Sequence, residues 1–315
     1  MSNSTDRNNS LDLTGLKEYI NQNSTELIAK SVFAPMSTTL FKVQTGVKAE
    51  TAINLLDTTV TFGDGKECGL DPISAQTISQ RTIVPGFMKV VLKYCQKDFY
   101  NTFASHLTNV AAGRETLPFE QYFIEDVIKN IGKELEVAIW QGDKDVLNTN
   151  PNTNKFDGLL TIIDKEVTAG NITNIYNGTT QNTMLKRVWA VYNAIPEEKL
   201  FDEVIYMNNA NFRALVKELV DANMYHYERN VDQSMDIILP GTMTHIKAVS
   251  GLTGKDTIVA LDPAHVVYGT DLENDFETFK FWFSDDDDMF KLLVEFAAGI
   301  QIALPNEVVL SKNNG

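Results

Sequence analysis

The sequence predicts an α+β chain, and three stretches carry that expectation. Residues 117–141 place Phe119, Phe123, Ile124, Val127, Ile128, Ile131, Leu135, Ala138 and Ile139 mostly three and four positions apart, the period of an amphipathic helix. Phe290, Leu292, Val294, Phe296, Ala298, Ile300, Ile302 and Leu304 all stand at even positions, the period of a strand. Between them, residues 183–261 alternate short apolar strands with helix-period segments.

Composition sets the outer bounds. The chain has 315 residues, 43% of them hydrophobic, enough for a substantial core in one large or two modest domains. Its formal net charge of -15 repels phosphates and anionic headgroups, which argues against a dedicated DNA-binding or membrane-surface protein. No apolar run reaches membrane-span length, and Met1–Ser10 lacks the basic start and apolar stretch of a signal peptide. The Asn171-Ile-Thr173 and Asn177-Gly-Thr179 sequons are then coincidental. Two cysteines, Cys68 and Cys95, are too few for a disulfide framework, so free thiols in a reducing compartment are expected.

In chain order, residues 1–45 form a polar arm with a short helix near Ser24–Val32, stopped by Pro35. Such an arm packs on its own body or on a neighbour. Residues 46–97 read as extended. The turn-forming run Gly63-Asp-Gly-Lys-Glu-Cys-Gly69 and the alternation of Val84, Met88, Val90, Leu92 and Tyr94 suggest a long hairpin, with Cys68 and Cys95 on opposite limbs. The helix of 117–141 has Pro118 at its start and Gly142 at its stop, and would be roughly 37 Å long. Residues 143–182, rich in Asn, Thr and Gly, read as loops around one apolar piece, Leu159–Ile163. A helix follows at Thr183–Ile195, then a strand at Val204–Met207. The next helix, Phe212–Val220, takes Asn209 or Asn211 as its cap. Short strands are expected at Ile237–Leu239, His245–Val249 and Thr257–Leu261.

Near the C-terminus, Phe279, Phe281 and Phe283 alternate with Thr278, Lys280 and Trp282. Ser284 and the four consecutive aspartates Asp285–Asp288 separate this strand from the long one that follows. No alternating strand tolerates that run, so it is a turn and the product is a hairpin with a solvated acidic tip.

These segments together resemble one family. The stretch DTIVALDPAHVVYGTDLENDFETFKFWFSDDDDMFKLLVEFAAGIQIALPNEVVLSK is similar to the end of the major capsid proteins of tailed phages (Caudoviricetes) with the Hong Kong 97-like fold. TGVKAETAINLL, FGDGKECG and SQRTIVPGFMKVVLKYCQKDF resemble the matching region in phages of Bacteroidetes. FEQYFIEDVIKNIGKELEVAIWQGD resembles the family's spine helix, and NKFDGLL and VIYMNNANFRALVKELVD its axial domain. Each motif alone is weak; their order, over roughly residues 25–312, is specific. The resemblance implies an N-terminal arm (1–45), an extended loop (46–97), a peripheral domain (98–158 and 271–300) and an axial domain (159–270 and 301–315). It implies a structural virion protein that self-assembles into hexamers and pentamers of an icosahedral shell. That shell would form in the host cytoplasm and enclose double-stranded DNA without sequence-specific binding or membrane contact. Portal and decoration proteins are implied partners. So is a scaffolding protein, separate or already removed, because only a short arm precedes the extended loop. An encapsulin-type compartment on the same fold and a soluble acidic metal-dependent enzyme are the alternatives.

No catalytic residue, cofactor or metal ligand set is expected. The histidines His106, His226, His245 and His265 lack metal-ligand spacing, and Gly65-Lys66 and Gly254-Lys255 lack the rest of a phosphate loop. The Lys66 and Asn274 side chains do not align with the crosslinking chemistry of some relatives. Glu134, Glu136, Asp271, Glu273 and Asp275 are assigned to solvated faces. The expected contact sites between subunits are Asp285, Asp286, Asp287 and Asp288 at the hairpin tip, meeting their equivalents near a local threefold, and Asp64 and Lys66 at the loop tip. Three acidic tips in one place need lysines, cations or distance to offset their repulsion.

Overall fold

The structure is a computed structural model and describes residues 20, 23, 26–59, 75–95, 119–145, 147–222, 236–271, 278–284, 286, 287 and 289–313. Its strands are β1 (Lys42–Gln44), β2 (Thr51–Thr59), β3 (Ala75–Ile83), β4 (Gly86–Cys95), β5 (Val204–Met207), β6 (Asp236–Ile238), β7 (His245–Ala248), β8 (Thr257–Leu261), β9 (Val266–Thr270), β10 (Thr278–Ser284), β11 (Met289–Ile302) and β12 (Val309–Lys312). Its longer helices are α1 (Phe119–Gln141), α2 (Leu159–Ala169), α3 (Met184–Ala194) and α4 (Asn209–Asp221). Among the described residues no helix is long and apolar enough to cross a membrane.

The larger sheet is organised around β11, where the period of two holds longest. β10 and then β9 pair along one edge of β11, β4 runs antiparallel along the other, and β1 adds to β9. Alternation then decides the faces. Leu292, Val294, Phe296, Ala298, Ile300 and Ile302 are buried against α1 and α2, together with Phe279 and Phe281 of β10. Each such side chain contributes about 1.5–3 kcal/mol of burial.

The smaller sheet has the order β12-β8-β5-β7-β6. It is covered on both sides, which explains the unbroken apolar run of β8. One face, with Tyr206, Val259 and Leu261, joins the core of the larger sheet, whereas Ile205, Met207, Ile258 and Ala260 pack under α3 and α4. Trp140 at the end of α1 bridges the two parts, 5.5 Å from the Tyr206 ring and 6.0 Å from Phe41. The turn at Ser250–Leu252 packs so closely on this helix end that a Cβ on Gly251 would lie 2.2 Å from Trp140.

Several expectations need correction. β4, expected as the second limb of the extended hairpin, pairs with β11 from Met289↔Cys95 to Ala298↔Gly86. The hairpin is instead β2 with β3, from Thr51↔Ile83 to Thr59↔Ala75, and its connection at 60–74 lies outside the described residues. β9 belongs to the larger sheet, so the change of sheet falls at 262–265 rather than after residue 270. The apolar piece at 159–163 opens a helix, α2, whose Leu159, Leu160, Ile162 and Ile163 are all buried; apolar residues so dense show no period. The cap of α4 is Asn208, whose side chain accepts from the Asn211 backbone N–H at 2.6 Å.

The arm packs on its own body. Residues 26–32 are helical, and Leu27, Ile28 and Val32 join the main core. Glu136 of α1, read from sequence as solvated, is 2% exposed. Its carboxylate accepts from the Ser37 backbone N–H at 2.9 Å and from the Ser37 hydroxyl at 2.7 Å, and Trp140 Nε1 donates to that hydroxyl at 2.7 Å. A buried carboxylate is tolerated because its acceptors are filled.

Candidate assembly surface

Seven residue pairs, Thr278↔Glu295 to Ser284↔Met289, close the C-terminal hairpin and leave Asp285–Asp288 as its connection. Asp286 and Asp287 form an exposed turn; Asp285 and Asp288 lie outside the described residues. The Asp287 carboxylate pairs with Lys291 of β11 and stands 3.8 Å from Lys93 Nζ of β4. The hydrogen bond from Lys291, and then the charges of Lys291 and Lys93, hold it below the usual carboxylate range. Part of the tip's charge is thus offset within the chain, by lysines that the strand register delivers.

The same register builds the outer face of the larger sheet, away from α1. Across β4, β11 and β10 the rows are Lys93–Lys291–Trp282, Val91–Leu293–Lys280 and Lys89–Glu295–Thr278. Val91 is 44% exposed and Trp282 36% exposed, and a Lys89–Glu295 ion pair of 3.0 Å lies beside them. Apolar side chains set within a charged border on an exposed sheet face suit a contact surface. On the inner side, a groove of about 380 Å³ lies between β4 and α1, lined by Met88, Val90, Leu92, Val127, Ile131 and Phe296 among others.

The β2–β3 hairpin is anchored at its base. Val47, Ile83 and Val267 form a small core there with Ile53, and Arg81 Nη1 donates to Glu166 Oε1 of α2 at 2.6 Å. That bond holds the Glu166 carboxyl below its ordinary range against the opposing effect of burial. From this base the two strands extend about 30 Å at strand rise. Asp64 and Lys66, expected at its tip, lie outside the described residues, as do Cys68, Asn274, His106 and His226. Cys95 is half-buried and free, opposite Met289 rather than on this hairpin.

Three buried polar features escaped the sequence. Arg187 of α3 donates through Nε and Nη2 to Ser311 Oγ and O, at 2.9 and 2.6 Å, and pairs with Asp256. It thereby ties β12 to the smaller sheet's helical face. Asp271, read as solvated, is fully buried, and neither carboxylate oxygen has a hydrogen-bond partner among the described residues. Glu203, just before β5, is 1% exposed and likewise has none among them. The buried Glu136, by contrast, left a local trace: it falls in the i, i+4 row Ile128–Gly132–Glu136–Trp140 that faces the arm and the core. Among the described residues no group of three or more His, Cys, Asp or Glu could hold a metal ion.

No protein-family model matches the sequence, and no curated protein matches it. Solved structures do match. A chain of the satellite phage P4 procapsid that includes the size determination (Sid) protein superposes with a TM-score of 0.61 at 9% identity, covering 95% of this chain and 96% of that one. A chain of Microbacterium phage Oxtober96 gives 0.57 at 14% identity, covering 88% and 90%. A chain from the capsid of an empty GTA particle gives 0.56 at 11% identity, covering 90% of each. At these identities the likeness is one of fold: over nearly its whole length, this chain is folded like subunits of phage and GTA capsids.

Proposed function

We propose that this chain is the major capsid protein of a tailed phage with the Hong Kong 97-type fold, most similar to those of phages that infect Bacteroidetes. It assembles in the host cytoplasm into hexamers and pentamers of an icosahedral shell around double-stranded DNA. The observation that carries this reading is the pairing of a capsid-type fold over 95% of the chain with a hairpin, β2–β3, whose two strands extend about 30 Å from the small core at its base. An enzyme has no use for such reach, whereas a shell subunit needs it to span its neighbours.

In this reading the smaller sheet is the axial domain around each fivefold or sixfold, and the larger sheet with α1 is the peripheral domain. The β2–β3 hairpin lies over a neighbour, with contacts from Asp64 and Lys66 at its tip. The Asp285–Asp288 tip meets two symmetry mates, with Lys93 and Lys291 moderating their repulsion. Apolar and strand contacts between copies supply the association energy. The net charge of -15 keeps the shell from gripping the genome it encloses. A scaffolding protein, a portal and decoration proteins are its partners.

Mass photometry and size-exclusion chromatography of the purified chain, alone and with the scaffolding protein encoded beside it, test this. Pentamers, hexamers or shells are expected. A chain that stays monomeric under every assembly condition contradicts the proposal.

A further inference from the structure

Two short links join the larger sheet to the smaller one, besides the long helical passage from β4 to β5: residues 262–265 between β8 and β9, and residues 303–308 between β11 and β12. They run side by side, with the Ala303 backbone N–H donating to the His265 carbonyl at 2.8 Å. The approach to β5, residues 199–203, packs against both. Ionisable groups from all three segments converge here. Lys199 Nζ lies 3.0 Å from Glu307 Oε1. His265 Nδ1 lies 2.8 Å from Glu307 Oε2 and 3.5 Å from Asp262 Oδ2, without hydrogen-bond alignment to Glu307. Glu203 sits among them, 1% exposed, with both carboxylate oxygens lacking a hydrogen-bond partner among the described residues. The neighbouring Tyr206 hydroxyl is also buried without one among them.

A buried, unpartnered carboxylate is costly, while a neutral carboxyl in the same place is tolerable. We propose that this junction is a proton-operated hinge: with Glu203 neutral both links and the approach to β5 are locked in the arrangement described, and loss of its proton loosens them.

The surroundings set the sign. Burial, then the charges of Asp262 and Glu307, push the Glu203 carboxyl up to about 8; Lys199 pulls it down and Asp202 adds a smaller upward push. Asp236, from β6, reaches Tyr206 rather than Glu203. Once the junction opens, Glu203 is solvated and returns toward its ordinary 4.5. The folded value is therefore raised, so the locked form is favoured most at low pH. The open form gains about tenfold per pH unit from there up to about 8 and then levels off. The inference concerns a single chain and stands apart from the shell reading.

Hydrogen–deuterium exchange of the unassembled protein between pH 5.5 and 9, corrected for the chemical exchange rate, tests it. In the wild type, protection of segments 199–206, 262–270 and 303–310 should fall by about tenfold per pH unit and level off near the Glu203 value, while α1 stays protected. In Glu203→Gln the same segments should show no such slope. Glu307→Gln removes one repelling carboxylate and keeps Glu203, so its levelling point should move to lower pH; this variant decides the matter where Glu203→Gln does not fold. Equal slopes in wild type and Glu203→Gln, an unmoved levelling point in Glu307→Gln, or loss of protection spread evenly through the chain would each overturn the hinge.

Discussion

Gly132 offers a way to ask whether the arm rests on its own body in solution. It lies within the 23-residue helix α1, where glycine costs about 1 kcal/mol relative to alanine. Gly132→Ala would therefore stabilise an isolated helix by about that amount. Here a Cβ at position 132 would stand 2.4 Å from the Ala34 Cβ and 3.1 Å from its carbonyl carbon. Overpacking of this kind costs about 1–3 kcal/mol. The two effects oppose, and the clash is expected to win, leaving Gly132→Ala less stable than wild type by up to about 2 kcal/mol. Ala34→Gly removes the nearer obstacle, so the double variant should recover most of the helical gain, with a coupling energy of about 1–3 kcal/mol. Urea unfolding of the unassembled chain, with limited proteolysis of the arm as a second probe, reads both quantities. A Gly132→Ala variant stabilised by the full alanine gain, with no coupling to Ala34→Gly, would refute the docking of the arm on α1.

Arg187→Met should destabilise the chain by on the order of 3 kcal/mol, because the buried Ser311 hydroxyl and carbonyl lose donors they cannot replace; chemical denaturation measures it. It should also alter the acid response. Burial raises the Asp256 carboxyl, but hydrogen bonds from Arg187 and Asn211 outweigh it and hold the group below 3.8, so its stabilisation is present above that value and lost as pH falls. The variant should lose that part of the acid dependence. Leu292→Ala, at the centre of the larger sheet, should cost about 2–5 kcal/mol by leaving a cavity, seen as a lower thermal midpoint. Changing Asp285–Asp288 to Asn should shift the salt dependence of assembled shells while leaving the unfolding of the free chain within about 0.5 kcal/mol of wild type.

The parts of the fold that could be read locally are those where one period runs long. β11 and α1 announce themselves because a face is buried along many residues, and β5 and β8 because both faces are. Pairing partners are another matter. Nothing local to β4 says that its mate is β11, some two hundred residues away, rather than the nearer β2 or β3. The α4 cap was misplaced because Asn208, Asn209 and Asn211 all suit a cap and only backbone geometry selects one. The candidate surface at the acidic tip was half legible. The aspartate run marks a turn by its charge alone, yet Lys93 reaches it only through tertiary register. Glu203 and Asp271 look like ordinary solvated carboxylates in sequence, since burial depends on which distant segments fold over them.

Cryo-electron microscopy of particles assembled from this chain tests whether the β10–β11 tip is a contact between subunits of a closed shell. Icosahedral shells are expected, in which the smaller sheet surrounds the fivefold and sixfold centres and Asp285–Asp288 tips from three subunits converge. Particles whose tips stand isolated in solvent, or an absence of closed particles under conditions where the chain is folded and concentrated, would contradict it.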